Sequence, residues 1–351
     1  MQDRVQAEVG ALARFCEAAF LAVGADAATA RDATRAIMHG SLHGVDSHGV
    51  RLLPYYLRLL AGGEVAKAPV LRFRQIKPGS GLLDAGHAQG ARATYHAVDL
   101  AVDMAVAQGI AAVGIQNTSH FGPAGAYALA AAERGFVALV VCNSDSFVRL
   151  HDGAQRFHGT NPIAVAVPTG QANPWLLDMA TSAVPFNRVE LYQSLGMDLP
   201  PDVASDAMGA EVLDPAKVEM LAPVGGAFGF KGAALGGVAE ILSAAMTGMR
   251  LSPEIAFMGG ADTTTPRELG AFVIVMDPDG FIGGPLLRAA MQRYLAALRG
   301  SEARQGCRVL APGDREWEEA ARRRASGVPL DPVTVAEFKA LGDAYGVALP
   351  W

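Results

Sequence analysis

Apolar side chains recur at helical spacing over the first sixty residues of the chain. Val5, Val9, Leu12, Phe15 and Phe20 keep one face apolar, which predicts an opening helix. A second helix is expected from Ala27 to Met38, with Asp26 at its N-cap. A third runs through Leu52, Leu53, Tyr56, Leu57 and Leu60 and stops at Gly62-Gly63. Pro54 fits only in its first turn, where no intrahelical N–H is needed.

The pattern changes in the middle. Short β-like runs stand at Ile110–Ile115, Phe136–Val141, Ile163–Val167, Trp175–Leu177 and Ala271–Met276. Alanine-rich helices separate some of them: Ala91 to Gln108, Gly125 to Arg134 and Gly232 to Met249. The last carries only Glu240 as a charge over most of its length, which predicts burial on nearly all sides. The tail is helical again over Pro285–Leu298, Asp314–Arg324 and Asp331–Tyr345, with Gly313-Asp314 and Leu330-Asp331 as caps. The order predicts a central α/β unit, residues 71–284, and a helical portion built from both chain ends, residues 1–70 and 285–351.

Composition narrows the classes. Hydrophobic residues make up 51% of the 351 positions and charged ones 18%, enough apolar surface for a large buried core. The net charge of −6, with no basic stripe interleaved with aromatics, speaks against nucleic-acid binding. Arg322-Arg323-Arg324 lies among Glu316, Glu318 and Glu319 and is expected on a solvated helix face. Cys16, Cys142 and Cys307 are odd in number and far apart, which suits a reducing, cytoplasmic compartment. No signal-peptide pattern opens the chain, and the strongly apolar stretch at Phe136–Val141 is too short to span a bilayer.

Two segments concentrate candidate chemistry: His43-Gly44-Val45-Asp46-Ser47-His48-Gly49-Val50-Arg51 and Asn117-Thr118-Ser119-His120-Phe121-Gly122-Pro123-Ala124-Gly125. Each sets a histidine, able to transfer protons near neutral pH, beside a hydroxyl and a glycine. Arg51 and Tyr56 follow His48 closely, and a histidine, a guanidinium and a phenol together suit an oxo-acid. Alternatively Ser47 is only a helix cap. His43, Asp46 and His48 also allow a metal site and hence a metal-dependent hydrolase, although no HExxH or Cys/His pair supports it. The stretch from His120 to Gly125 opens a helix whose free N–H groups can meet a phosphate or an anionic substrate, with Pro123 in the first turn; a plain strand–turn–helix connection fits equally. Gly225 to Gly232 is not a P-loop, because Phe230 precedes Lys231 and Gly232 follows it. Lys231 is a candidate for cofactor phosphate or ribose, or a solvated lysine. No G-x-G-x-x-G follows a strand, which excludes a conventional Rossmann site.

In this order the segments Ser47-His48-Gly49, Ser119-His120-Phe121-Gly122, Gly159-Thr160-Asn161-Pro162, Asp178-Met179-Ala180-Thr181-Ser182 and Phe230-Lys231-Gly232 resemble the malate/L-lactate dehydrogenase family of the second, non-Rossmann type. The resemblance runs from about Ala11 to Pro312. It implies a mixed sheet flanked by helices that binds NAD(H) or NADP(H), a homodimer, and hydride transfer between nicotinamide and C2 of a small 2-hydroxy/2-oxo acid. The rival within the class is a cyclic ketimine carboxylate reductase. By resemblance, His48 with Ser47, and His120, are catalytic. The loop His120-Phe121-Gly122-Pro123-Ala124-Gly125, with Ser144, Asp178, Met179, Ala180 and Lys231, contacts cofactor. Arg51 and Tyr56 are candidates for binding the substrate.

The chain departs from its relatives in places. Many members carry an arginine four residues after the histidine; here Leu52 takes that place and Arg51 precedes it. Asn187-Arg188 replaces a frequent Gly-Lys. Arg149 stands where relatives often have apolar residues, and either binds the far end of the substrate or pairs with Asp152.

Overall fold

The computed structural model describes residues 5–351, and within them all side chains except those of residues 187, 191 and 194. Strand β1, Val5–Ala7, precedes helices α1, Val9–Ala22, α2, Ala27–Leu42, and α3, Leu53–Gly62. Val5 therefore opens a strand rather than the predicted helix, because Glu8 caps α1 by accepting from the Gly10 and Ala11 amides. Asp26 caps α2 as expected, accepting from Thr29 N at 2.7 Å. Gly63, at φ +98°, ends α3.

Next come β2, Arg72–Lys77, β3, Ser80–Ala88, α4, Gly90–Gln108, β4, Ile110–Thr118, α5, Gly125–Ala132, and β5, Val137–Cys142. Short strands β6, Val148–Arg149, and β7, Arg156–His158, lead to the hairpin of β8, Ile163–Val167, and β9, Trp175–Met179. Then follow α6, Phe186–Leu195, β10, Ala204–Ser205, β11, Met220–Leu221, α7, Phe230–Glu240, and β12, Leu269–Met276. Helices α8, Gly284–Arg299, and α9, Asp314–Ser326, strand β13, Val328–Leu330, and α10, Pro332–Tyr345, finish the chain.

Seven strands form one mixed sheet in the order β2-β3-β4-β12-β5-β8-β9. Only β3 and β4 pair in parallel, joined through α4. Strand β12 lies between β4 and β5, with Val273 facing Val113 on one side and Val140 on the other. Its near-continuous apolar run suits a strand covered on both faces. One face packs on α4 and α5, where alanines on both layers let helix and sheet approach closely. On the other face Val141 and Phe272 pack against Ala239 of α7. The outer strand β2 is polar, RFRQIK, and suits an exposed edge.

A second apolar cluster joins the two chain ends. It combines α1, α2 and α3 with Val328, Leu330 and Phe338; β1 pairs with β13, and Phe15 packs on Phe338 with ring centroids 4.8 Å apart. Helix α8 stands apart from it, burying only Leu295. The helix expected over Gly232–Met249 differs from expectation too. α7 passes at Ile241–Ala245 into a π-helical turn, and Leu235, Val238, Ile241 and Met246 are 42–57% exposed. An all-apolar sequence has no polar face to report which side is outward.

Candidate active site

The turn that carries Ser47 and His48 is fixed by close backbone approach. A Cβ on Gly40 would lie 2.4 Å from the His48 carbonyl oxygen, and one on Gly49 would lie 2.3 Å from Ser41 Oγ. Only glycine permits this contact between α2 and the turn. Ser41 Oγ accepts from Val50 N at 2.9 Å. Arg323 of α9, 5% exposed, donates to the Ser41 carbonyl at 2.6 Å and to both oxygens of Asp46. Arg323 is thus not on the solvated face expected for the arginine run: it locks the turn from beneath. Asp46 serves this lock, and His43 hydrogen-bonds the His39 carbonyl and packs on His39 and Trp317. These two are not gathered with His48 around a metal. Among the described residues no group of three or more His, Cys, Asp or Glu could hold one.

His120 follows β4. Ser119 Oγ accepts from Gly90 N at 3.0 Å, and Gly122 turns the chain at φ +75°. The helix start expected to offer amides to an anion is already satisfied. Asp178 Oδ2 accepts from Gly125 N at 2.8 Å, and a Cβ on Gly125 would lie 2.7 Å from that oxygen. Burial pushes the Asp178 carboxyl up to about 6, although the Gly125 bond opposes this. The carboxylate therefore anchors β9 to α5.

The two imidazoles meet in one cleft, stacked with centroids 5.6 Å apart and planes 28° from parallel. Burial pushes His48 down to about 4 and His120 well below its ordinary value, so both are neutral at pH 7. Each is held through Nδ1: His48 by Ser47 Oγ at 2.9 Å, His120 by the Tyr56 hydroxyl at 2.8 Å. Burial raises the Tyr56 phenol well above its ordinary value, so it keeps its proton. We assign that O–H as donor to His120 Nδ1, which places the ring proton on Nε2.

The cleft has a volume of about 210 Å3. Besides Ser47, His48 and His120 it is lined by Phe121, Gly122, Ser144 and Ala180, all expected from sequence. Thr160 and Pro162 come from a segment singled out above, and Phe147 opens the stretch Phe147–Asp152 that departs from the relatives and is expected near the substrate, while Leu52, Cys142, Asp145, Pro185, Phe186 and Met258 were not proposed for the site. Apolar residues on irregular loops carry no periodic or chemical signature, so sequence gave no reason to choose them. Asp145 could have been noticed as a lone acid among hydroxyls. It accepts from Arg267 at 2.6 Å, both side chains about 5% exposed, and from Met258 N at 2.9 Å. This pair ties the loop after β5 to the segment before β12.

Other expected residues lie elsewhere. Tyr56 stands behind His120 rather than in the wall. Arg51 is exposed and lines a neighbouring cavity. Arg149 donates to Ser205 Oγ at 3.2 Å and to the Leu150 carbonyl at 3.1 Å, so it joins β6 to β10 and does not pair with Asp152. Lys231 is exposed, its amine 5.3 Å from the Phe228 ring centre. Pro123, Ala124, Gly125, Asp178 and Met179 support the cleft without lining it.

A hydroxyl-buttressed pair of neutral imidazoles, in an apolar cleft beside a non-Rossmann mixed sheet, is equipment for moving a proton to or from a small polar substrate. Residues 8–339 match the malate/L-lactate dehydrogenase family, and the chain belongs to it. It is an oxidoreductase. It is 34% identical over 319 residues to a malate dehydrogenase of Pyrococcus abyssi, covering 89% of this chain and 87% of that protein. It is 32% identical over 339 residues to a Delta(1)-pyrroline-2-carboxylate/Delta(1)-piperideine-2-carboxylate reductase of Pseudomonas putida, covering 94% of each. The malate dehydrogenase structure from Entamoeba histolytica superposes with a TM-score of 0.93 at 26% identity, over 99% of this chain and 100% of that one.

Proposed function

We propose that the protein transfers hydride between NAD(H) or NADP(H) and C2 of a small 2-hydroxy/2-oxo acid, with His48 and His120 handling the proton. The observation that carries this is the pairing of two neutral imidazoles, each anchored at Nδ1, in one apolar cleft. The cleft fits a nicotinamide ring: Cys142, Pro162 and Ala180 offer an apolar surface, and Ser144 and Thr160 offer hydroxyls to a carboxamide. At about 210 Å3 it is smaller than the roughly 300–1,000 Å3 typical of ligand pockets, so the rest of a dinucleotide lies outside it. When bound, the nicotinamide supplies or accepts the hydride.

The protein's own groups divide the remaining work. His120, with its proton on Nε2, donates a hydrogen bond to the substrate oxygen. His48 accepts the hydroxyl proton on oxidation and returns it on reduction. A neutral imidazole suits the first task at pH 7, and the negative charge of a bound carboxylate raises its basicity for the second. The wall excludes water from the reacting carbon. Lys231 remains our candidate for cofactor phosphate, since α7 packs against Asn161, whose amide donates to the Gly236 carbonyl at 3.0 Å.

Two further expectations fit the same reading. The exposed apolar side chains of α7, with Phe281, Ile282 and Leu286 at 57–65% exposure, support a homodimer that covers them. Unpaired Cys16, Cys142 and Cys307 support a cytoplasmic setting; no helix among the described residues is long and apolar enough to cross a membrane. We take 71–284 as the cofactor-binding unit and the two chain ends, 1–70 and 285–351, as the substrate-side and dimerisation portion, with the apolar surface of α7 and Phe281-Ile282 extending the dimer face into the first unit. A second reading, reduction of a cyclic C=N bond, is favoured by the likeness to the Pseudomonas putida reductase over 94% of the chain. The test is loss of reduced-nicotinamide absorbance with NADH and NADPH across 2-oxo acids and cyclic imines. Turnover of the 2-oxo acids supports the first reading, turnover of the imines alone supports the second, and turnover of none rejects both.

A further inference from the structure

Among the described residues lining the cleft there is no cationic side chain. Leu52 occupies the wall while Arg51, its neighbour in the three-residue turn Val50–Leu52, lines the adjoining cavity. Successive side chains on such a turn diverge by about 120°, so one position cannot serve both spaces. Apart from the imidazoles, the hydroxyls and Asp145, the cleft wall is largely aromatic and aliphatic. Phe147 packs on Phe186 at 5.4 Å and on Phe257 at 5.6 Å, and Leu52 and Met258 complete the surface. The one carboxylate there, Asp145, accepts from buried Arg267, whose Nη1 has no hydrogen-bond partner among the described residues and does not reach the cleft wall.

The adjoining cavity, about 500 Å3, has the opposite character. Ser47 and Pro185 line both spaces, and beyond them stand Arg51 and Arg188. Its two carboxylates are hydrogen-bonded within the protein: Asp46 is held by Arg323, and Asp331, near enough to Arg51 for that charge to lower its carboxyl, caps α10 by accepting from Val333 N, Thr334 N and Thr334 Oγ1. Two guanidinium groups therefore line the cavity beyond Ser47, while no cationic side chain lines the cleft that holds Phe147. An unpaired carboxylate buried beside Phe147 would be strongly disfavoured.

Resting on the oxidoreductase reading above, we propose that the substrate is a 2-oxo acid (or its 2-hydroxy partner) with a bulky apolar arm. Its C1 carboxylate turns past Ser47 toward Arg51 and Arg188, its C2 oxygen meets the two imidazoles, and its arm lies against Leu52, Phe147, Phe186 and Met258. A second carboxylate on the arm is rejected.

The test is kcat/KM for 4-methyl-2-oxopentanoate, phenylpyruvate, pyruvate and oxaloacetate in the full-length protein and in Leu52→Arg and Arg188→Ala. The wild type should favour the two apolar-armed acids over pyruvate by about 10–200-fold, the range for lost apolar contacts, and over oxaloacetate by at least as much. Leu52→Arg should reverse the order between oxaloacetate and 4-methyl-2-oxopentanoate. Arg188→Ala should raise KM for all four acids alike, with their ranking kept. A wild type that prefers oxaloacetate overturns the inference and leaves the oxidoreductase reading standing, as does an Arg188→Ala effect confined to oxaloacetate. Cyclic imines are run alongside; if none of these compounds is reduced with either cofactor, the reading fails and the inference with it.

Discussion

Replacing Tyr56 by Phe removes one oxygen and tests whether the hydroxyl orients His120. Tyr56 is 3% exposed, and its O–H is 2.8 Å from His120 Nδ1. The ring of Phe fills the same space, so the change is confined to that bond. A hydrogen bond of this kind contributes about 0.5–1.5 kcal/mol net, and more when a buried acceptor is left unmet. Without it His120 can exchange the proton between its nitrogens and rotate, and orienting free energy of about 1–2 kcal/mol is lost at the reacting oxygen. That corresponds to a fall in kcat of about 5–30-fold. Replacing His120 itself by Ala should be worse, about 10²–10⁴-fold. The assay is saturated turnover with the best acid of the panel, alongside cofactor Kd and Tm. Cofactor Kd should hold, and Tm should fall by a few degrees. If Tm falls while kcat stays within about twofold of wild type, the hydroxyl is only structural and the tautomer assignment is wrong.

Further outcomes follow from the same geometry. Arg267→Met leaves Asp145 buried and unpaired and should cost about 3–5 kcal/mol in urea unfolding; a loss below about 1 kcal/mol would mean that the carboxylate finds another partner or water. His39, His43, His48, His96, His120 and His158 are all pushed below their ordinary value of 6.5, chiefly by burial, so the unfolded chain binds more protons than the folded one in mild acid. Their contribution to stability is therefore complete above pH 6.5 and lost as pH falls toward about 4, the value for His48. Asp178, raised to about 6, works in the opposite sense, its contribution being lost as pH rises through that value. Tm should drop between pH 6.5 and 4, and His48→Gln should flatten the drop; an unchanged slope in that variant would show that His48 titrates normally. Lys231→Ala should weaken cofactor binding several-fold while saturated turnover is kept, and an unaltered cofactor Kd would remove the lysine from the site.

How much of this was legible depends on what each residue does. Helices α1 to α5 and the central strands announce themselves by period, caps and alanine runs, because their partners are large flat apolar faces. The edge strand β2 and its neighbour β3 do not, since Arg72–Lys77 is mostly polar and Gly81 interrupts β3. The two- and three-residue strands around Arg149 are too short to show a period. His48, Ser47 and His120 were readable as chemistry beside glycine. The reason for those glycines, contact of Gly40 and Gly49 across two elements, exists only in three dimensions. The same holds for Arg323, which looked like one of three surface arginines, and for Asp178, which takes the helix-end amide that sequence had assigned to an anion. Arg51 and Leu52 are adjacent in sequence yet face different cavities, a distinction set by the tightness of one turn.

The central claim is hydride transfer to C2 in the cleft of His48 and His120. It is tested most directly by running the reduction of 4-methyl-2-oxopentanoate with reduced nicotinamide deuterated at both C4 positions, followed by mass spectrometry and proton NMR of the hydroxy acid. The account predicts one deuterium at C2, of a single stereochemistry, and loss of that labelled product in His48→Ala. A product without deuterium, or labelled product formed at the wild-type rate by the variants lacking either histidine, would contradict it.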